Sequence, residues 1–384
     1  MNNCKICNSV LYNRILVFDK VPSAAQKFLN IQELKTDIPE KLEVYQCDYC
    51  KLLQLNCKPV DYYRNVIRST AFSEDMKKFR NIFFRNFVDK YNLHNKKIIE
   101  IGCGKGEYLE MFENATHMHG FGIENSNDSV KVALEKNLTV FKGFLEDSKY
   151  EIPNKPYDAF FMMNFLEHIP NPKEFLHGIF NNLTENAVGI IEVPNSDIMI
   201  SEGLYSEFIR DHVSYFTEDT LKILLELSGF EILKSEIIWN NEIISVEVRK
   251  KKNYNLELFK KNYISTYDIF NKYLNERTKI GKIAVWGAGH QTLTNISLLN
   301  QKEKISYIID SATFKQGKYA PAIHLPVVSP DIINMDKEIK TIIIMAAGYS
   351  AEILRTIKNN YDISQIEVSI FKRNSLEIVN RMDN

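Results

Sequence analysis

No stretch of this 384-residue chain is apolar for long enough to span a membrane. Neither charge dominates: 48 Lys and Arg stand against 49 Asp and Glu, a formal net charge of -1, which excludes the basic balance of a nucleic-acid or anionic-membrane binder. The opening Met1-Asn2-Asn3-Cys4 lacks the basic, apolar and small-residue succession of a secretory signal. These absences predict a cytoplasmic protein. Cysteine is sparse as well, with six residues, so the chain is no disulfide-stapled scaffold; its length suits two or three domains with cores of their own.

The few cysteines are not scattered. Four fall as Cys4-x-x-Cys7 and Cys47-x-x-Cys50, leaving Cys57 and Cys103. Paired thiolates on two tight turns close a tetrahedral site around zinc. A cytosolic chain disfavours the disulfide alternative, and a C-x-x-C loop is too small for a structural bridge. Redox catalysis would need a thioredoxin-like pattern, which the segment between the pairs does not show. Residues 1–60 are therefore expected to form a module holding structural Zn2+, with the metal supplying much of its stability. The module has no basic cluster interleaved with aromatics, which argues against nucleic acid.

The chain is organised around Lys97-Ile98-Ile99-Glu100-Ile101-Gly102-Cys103-Gly104-Lys105-Gly106-Glu107-Tyr108. Its apolar, β-branched run predicts a parallel strand. Gly102, Gly104 and Gly106 then turn into a helix starting near Glu107, where the backbone bends tightly and lets a ligand approach its N–H groups. A second short strand ends in Glu124, about twenty residues on, the place of a carboxylate that grips ribose hydroxyls. This order fits either a dinucleotide or S-adenosylmethionine. Glu100 ahead of the glycines, and the run Tyr157 to Pro172 containing Asn164 and Glu167-His168-Ile169-Pro170, closely resemble class I methyltransferases. That likeness favours S-adenosylmethionine, with Glu146 and its neighbours Phe144 and Leu145 where that family contacts adenine.

Around this stretch the pattern alternates strand and helix. Strands are expected at Lys97–Ile101, His119–Ile123, Thr139–Lys142, Ala159–Met163 and Val188–Val193, followed by a hairpin of Glu231–Trp239 and Glu242–Arg249 through Asn240-Asn241. Ahead of them, Phe79, Ile82, Phe83, Phe84, Phe87 and Val88 recur at helical spacing. A linker helix from about Leu256 to Thr278 carries Phe259, Tyr263, Tyr267, Phe270 and Leu274 on one face. A second glycine turn, Gly287-Ala288-Gly289-His290, follows the strand Lys282–Trp286, with further strands at Ile305–Asp310 and Thr341–Met345. It lacks the third glycine of a dinucleotide fingerprint, and a phosphate of a nucleotide-linked substrate could sit on its helix N-terminus. The expected class is thus α/β: a zinc-binding module (1–60), a methyltransferase domain (61–252), and a linker helix with a second Rossmann-like, substrate-binding domain (253–384).

Cys4-x-x-Cys7 with Cys47-x-x-Cys50, Gly102 to Gly106, Glu167-His168-Ile169-Pro170, Asp211-His212-Val213-Ser214-Tyr215-Phe216 and Gly287-Ala288-Gly289 occur in one order. That order, over essentially the whole chain, resembles the zinc-containing, S-adenosylmethionine-dependent sugar C-methyltransferases of deoxysugar biosynthesis. The resemblance implies that Gly287, Gly289 and His290 help hold a nucleotide-linked sugar; the sequence itself says little about oligomeric state, and a monomer is the expectation. It implies a base, His212, that removes the proton beside a keto group so that an enolate forms. Asp211, standing where the family has Glu, would orient His212, and His168 would donate to the oxyanion. Ile209 and Ile67 stand where the family has tyrosines. An O- or N-methyltransferase in the same framework therefore remains the alternative, and a non-catalytic nucleotide-binding module a further one.

Overall fold

The computed structural model describes residues 3–25, 28–65 and 73–382. Ile67 lies outside them. The backbone divides into two compact units, Met1–Asn253 and Tyr254–Asn384. Among the described residues, no helix is long and apolar enough to cross a membrane.

The first unit opens on two turns of the same design. Cys4 N donates to Ser9 O and Asn8 N to Cys4 O; Cys47 N donates to Leu52 O and Lys51 N to Cys47 O. Asn8 and Lys51 both take positive φ, 60° and 66°, the conformation that lets each chain fold back over its thiols. Strands β1 (Asn13–Val21), β2 (Glu40–Gln46) and β3 (Leu53–Leu55) pair antiparallel. Leu42, Val44, Leu53 and Leu55 bury the inner face at the two-residue period of a half-covered sheet.

Helix α1 (Glu74–Lys90) starts on Ser73, whose hydroxyl accepts from Met76 N. Phe84, Phe87 and Val88 form its buried stripe, whereas Ile82 faces solvent. Arg80 on the same helix is fully buried, held by two 2.6 Å bonds to Glu192. A bidentate guanidinium–carboxylate pair satisfies the buried charges that the apolar spacing ignored.

The chain then continues through β4 (Ile98–Ile101), α2 (Glu107–Thr116), β5 (Phe121–Glu124), α3 (Asn127–Glu135), β6 (Thr139–Lys142), β7 (Tyr157–Met163), α4 (Pro172–Asn181), β8 (Leu183–Pro194), α5 (Ser196–Glu202), β9 (Ser214–Tyr215), α6 (Glu218–Leu227), β10 (Phe230–Ile238) and β11 (Ile243–Lys250), whose strands, β9 apart, form the central sheet. Its order is β10-β11-β8-β7-β4-β5-β6; the last five strands of that order are parallel and β10 and β11 an antiparallel edge hairpin. This is the sheet expected from the sequence, with ends shifted by a few residues. Side chains alternate between two cores: Ile99, Ile101, Phe160 and Met162 enter one, and Ile98, Phe161 and Met163 the other. Helices cover both faces, which is why these strands read as unbroken apolar runs. Cys4, Cys47, Cys50 and Leu52 share the first of these cores, so the thiol turns are packed onto the central unit. Strand β9 lies not in the central sheet but beside β3, with Leu53 opposite Tyr215.

The second unit begins with α7 (Glu257–Arg277), which buries Thr266, Phe270, Tyr273 and Leu274. Phe259 and Tyr263, expected on the same face, are exposed. The unit continues through β12 (Lys282–Trp286), α8 (His290–Leu298), β13 (Tyr307–Ile309), β14 (Lys318–Tyr319), β15 (Pro326–Val328), α9 (Ile332–Met335), β16 (Ile339–Ile344), α10 (Ser350–Asn360), β17 (Glu367–Lys372) and β18 (Ser375–Asn380). Its sheet runs β14-β15-β13-β12-β16-β17-β18, parallel inside with antiparallel edges.

Candidate active site

The central sheet reverses direction of growth between β4 and β7, and the crevice outside the carboxyl ends of the strands at such a switch point is where α/β sheets bind ligands. The predicted cofactor residues gather there. Gly102, Gly104 and Gly106 take φ of 71°, 56° and 78°. A Cβ on Gly102 would meet the Phe165 ring at 2.7 Å, and one on Gly106 would meet Leu138 at 2.4 Å, so glycine is required twice over. Glu124, at the end of β5, holds the turn: its carboxylate accepts from Gly104 N at 3.0 Å and from Ser126 N at 2.6 Å. Glu100 is fully buried at β4. Glu146 stands on the loop after β6 and pairs with Arg64 at 2.9 Å. Asn164 follows β7 with φ of 48°, and its side-chain oxygen is buried without a hydrogen-bond partner among the described residues. A crevice with one buried acceptor left open and acidic groups on two strand ends fits a ligand that brings hydroxyls and a cationic end.

Next to this crevice lies a corner built from two loops. Val213 N donates to Glu167 O at 2.9 Å and Leu55 N to Val213 O at 3.1 Å, which ties the Asp211–His212 loop to both β3 and the loop after β7. The His168 and His212 rings meet edge to face with centroids 4.7 Å apart. Burial, with His168 beside it, pushes the His212 imidazole down to about 3, and burial lowers His168 as well. Both rings are neutral at pH 7.

Two expected roles change here. His168 Nδ1 lies 2.8 Å from the backbone oxygen of Asp211. A carbonyl only accepts, so Nδ1 carries the proton and Nε2 is a bare lone pair. The neutral ring therefore accepts a proton rather than donating one to an oxyanion. Asp211 is buried, but its carboxylate is bound by Ala25 N at 2.7 Å and the Tyr62 hydroxyl at 2.6 Å. It anchors the preceding segments instead of reaching the His212 ring. Ile209 is pinned at both backbone groups by the Tyr215 hydroxyl, at 2.8 and 3.1 Å, and lines a cavity of about 530 Å3 with Phe18, Phe208 and Arg210.

Glu167, named in its motif but given no role from the sequence, sits under this corner. Its carboxyl has one oxygen without a partner, and burial pushes it up to about 8. Donor atoms of Glu167, His168 and His212 lie within 4.8 Å of one another. The folded protein keeps a proton that the unfolded chain releases near 4.5, so stability falls as pH rises from about 4.5 to about 8. By pH 7 the penalty is about 3 kcal/mol. Glu167→Gln should remove it, giving a higher urea midpoint than the parent at pH 7 and 8.5 and no advantage at pH 4.5. Equal midpoints at all three values would show that the carboxylate is ionised and compensated.

The four thiols also converge. The sulfurs of Cys4, Cys7, Cys47 and Cys50 lie within 4.8 Å of one another, with Cys4–Cys50 at 3.3 Å and Cys7–Cys47 at 3.5 Å. These separations exceed the about 2.05 Å of a disulfide. They approach the edge of about 3.8 Å of a tetrahedron with 2.3 Å metal–sulfur bonds, so the donor set fits zinc.

In the second unit, Gly287 takes φ of 117°, and a Cβ there would meet Met345 O at 2.8 Å. Around Gly289 the space is open, and His290 opens α8. Asp310, the counterpart of Glu124, accepts from Ala288 N at 2.7 Å and Ala312 N at 2.9 Å, but also from Lys315 Nζ at 3.0 Å. That lysine neutralises the acid which a ribose diol would need, a physical difference between the two glycine turns.

Comparison with known proteins bears on both units. Residues 72–235 match a family model described as a methyltransferase domain, and residues 242–365 match the C-methyltransferase C-terminal domain. The chain is 21% identical to the C-methyltransferase NovU of Streptomyces niveus over 86% of each chain. It is 24% identical to a ubiquinone biosynthesis O-methyltransferase of Rickettsia bellii, over 46% of this chain and 73% of that one. Among solved structures, an S-adenosylmethionine-dependent methyltransferase from Clostridium acetobutylicum is 15% identical, with a TM-score of 0.38 over 50% of this chain and 96% of that one.

Proposed function

We propose that this chain, which its family matches make an S-adenosylmethionine-dependent methyltransferase, methylates carbon beside the keto group of a nucleotide-linked deoxysugar. The observation that carries the reading is the half-buried His168–His212 pair, edge to face with centroids 4.7 Å apart at the edge of the glycine-turn crevice. Bound in that crevice, S-adenosylmethionine supplies an electrophilic methyl group. Glu100, Gly102, Gly104, Gly106, Glu124, Glu146 and Asn164 are the residues proposed to hold it. His212, neutral at pH 7, takes the proton from the acceptor carbon, and the electron pair left behind delocalises onto the keto oxygen. His168, fixed by the Asp211 carbonyl, packs on His212 and offers its own lone pair at Nε2. Asp211 acts by holding Ala25 and Tyr62 in place. Gly287, Gly289 and His290 are proposed to receive the nucleotide end of the acceptor, and Cys4, Cys7, Cys47 and Cys50 to hold structural zinc.

Turnover with S-adenosylmethionine and a panel of nucleotide-linked 4-keto sugars in D2O tests this directly. A new methyl on carbon, with deuterium entering at the same carbon of unconverted acceptor, is the expected result. A methyl found on oxygen would replace the reading with O-methyl transfer, which the similarity to the Rickettsia enzyme favours. Binding of the acceptor with no transfer would leave a nucleotide-binding protein without this activity.

A further inference from the structure

Four consecutive residues ahead of the central sheet, Tyr62 to Asn65, reach three separate loops at the carboxyl ends of its strands. Asn125, directly after Glu124, donates through Nδ2 to Asn65 Oδ1 at 2.7 Å. Arg64 pairs with Glu146 at 2.9 Å, and its guanidinium lies 5.5 Å from the centroid of Phe144. Tyr63 meets the same Phe144 ring edge to face at 5.9 Å and accepts from Arg64 Nε at 3.1 Å. Tyr62 donates to Asp211 Oδ1 at 2.6 Å, and the backbone oxygen of Asp211 sets the His168 tautomer.

We propose that this segment couples the cofactor crevice to the acceptor corner, with Tyr62 a positioning residue for the His168–His212 pair and Asn65 one for the ribose-side loop. The proposal rests on the cofactor seat given above. Three observations carry it. The Arg64–Glu146 pair is half-exposed and weak by itself, but stacking on Phe144 fixes where the guanidinium sits. Asp211 is 1% exposed, so the short bond from Tyr62 lies in a water-poor site where losing a donor on a carboxylate is costly. Four residues in sequence make all these contacts, so a shift of Asn125 or Glu146 reaches Asp211 through a few covalent bonds rather than through a long packed path. The ligand that moves this segment is adenosine-bearing, because the loops it touches are those after β5 and β6.

Hydrogen exchange of the full-length protein read by mass spectrometry, with and without S-adenosylhomocysteine, tests the coupling without any acceptor. In the parent protein the ligand should slow exchange in residues 102–106, 143–147 and 205–214. Tyr62→Phe should keep the calorimetric affinity for S-adenosylhomocysteine within about twofold and retain protection of the first two segments, while residues 205–214 no longer respond. Asn65→Ala should weaken the same ligand about tenfold at an unchanged thermal midpoint. Undiminished protection of 205–214 in Tyr62→Phe would overturn the proposal. So would an Asn65→Ala variant with parental affinity and parental protection, a result that stands even where Tyr62→Phe does not fold. Absence of ligand protection at 102–106 in the parent protein would instead refute the cofactor seat, and the coupling with it.

Discussion

Stripping the four-thiolate site with a chelator is expected to cost about 5 kcal/mol and lower the thermal midpoint by about 10–15 °C. The reason lies in what surrounds the sulfurs. Strand β1 is exposed along most of its length, so the first sheet has only one covered face and a small core of Leu42, Val44, Leu53 and Leu55 with a few partners. Without the ion, the two turns keep the Ser9 hydroxyl contact to Cys47 Sγ at 3.2 Å, and the first turn keeps its bonds to the Gln54 amide through Lys5 N and Asn3 O. Cys4, Cys47 and Cys50 are buried in the core that also supports β4, β7 and β8, so their release disturbs the central sheet as well. The damage should extend to the site: β3 pairs with β9, and Leu55 N donates to Val213 O, one residue beyond His212. Elemental analysis of the purified protein should find about one zinc per chain. Cys47→Ser should reproduce the loss of stability. Protein that carries no metal, with a midpoint indifferent to chelator, would sink the zinc assignment.

His212→Asn is expected to lower the transfer rate about 10²–10⁴-fold, the range that a positioned general base contributes. Asparagine keeps a polar side chain of similar reach but cannot accept a proton at neutral pH. The affinity for S-adenosylhomocysteine should not change, because His212 belongs to the acceptor corner. The pH profile adds a second check. Burial beside His168 depresses the imidazole to about 3, so the free enzyme holds its base form from about pH 4 upward. The kcat/KM profile of the parent should therefore show no acid limb near 6.5, where an ordinary histidine titrates. A clear limb at 6.5 that disappears in His212→Asn would mean that the ring is solvated in the working enzyme. A variant of parental rate would remove His212 from the chemistry altogether.

Much of the architecture was legible before any coordinates. The strand–glycine turn–helix signal around Gly102 is local: a β-branched run, three glycines where φ must be positive, and an acid at the next strand end specify it within about thirty residues. The two C-x-x-C pairs were equally legible, because each is one tight turn. Ile82 and Phe259 show where periodicity stops informing. Helical spacing says that a face is apolar; it does not say that another element covers it. In α1 the buried place went instead to Arg80, because Glu192 supplies two charge-assisted bonds there.

The site divides along the same line. The glycines and Glu124 were legible in a short local motif, whereas His168 and His212 came from the resemblance to a family pattern. What those residues do was decided by contacts between distant parts of the chain. The tautomer of His168 depends on a carbonyl 43 residues away. The commitment of Asp211 to Ala25 and Tyr62 spans 186 and 149 residues. The proton on Glu167 follows from complete burial with one oxygen unpaired. A motif specifies a side chain and its backbone turn, but hydrogen-bond partners and the local dielectric arise only when separate segments pack together. Those two quantities determine which groups carry protons, and so which of them accepts one from a substrate.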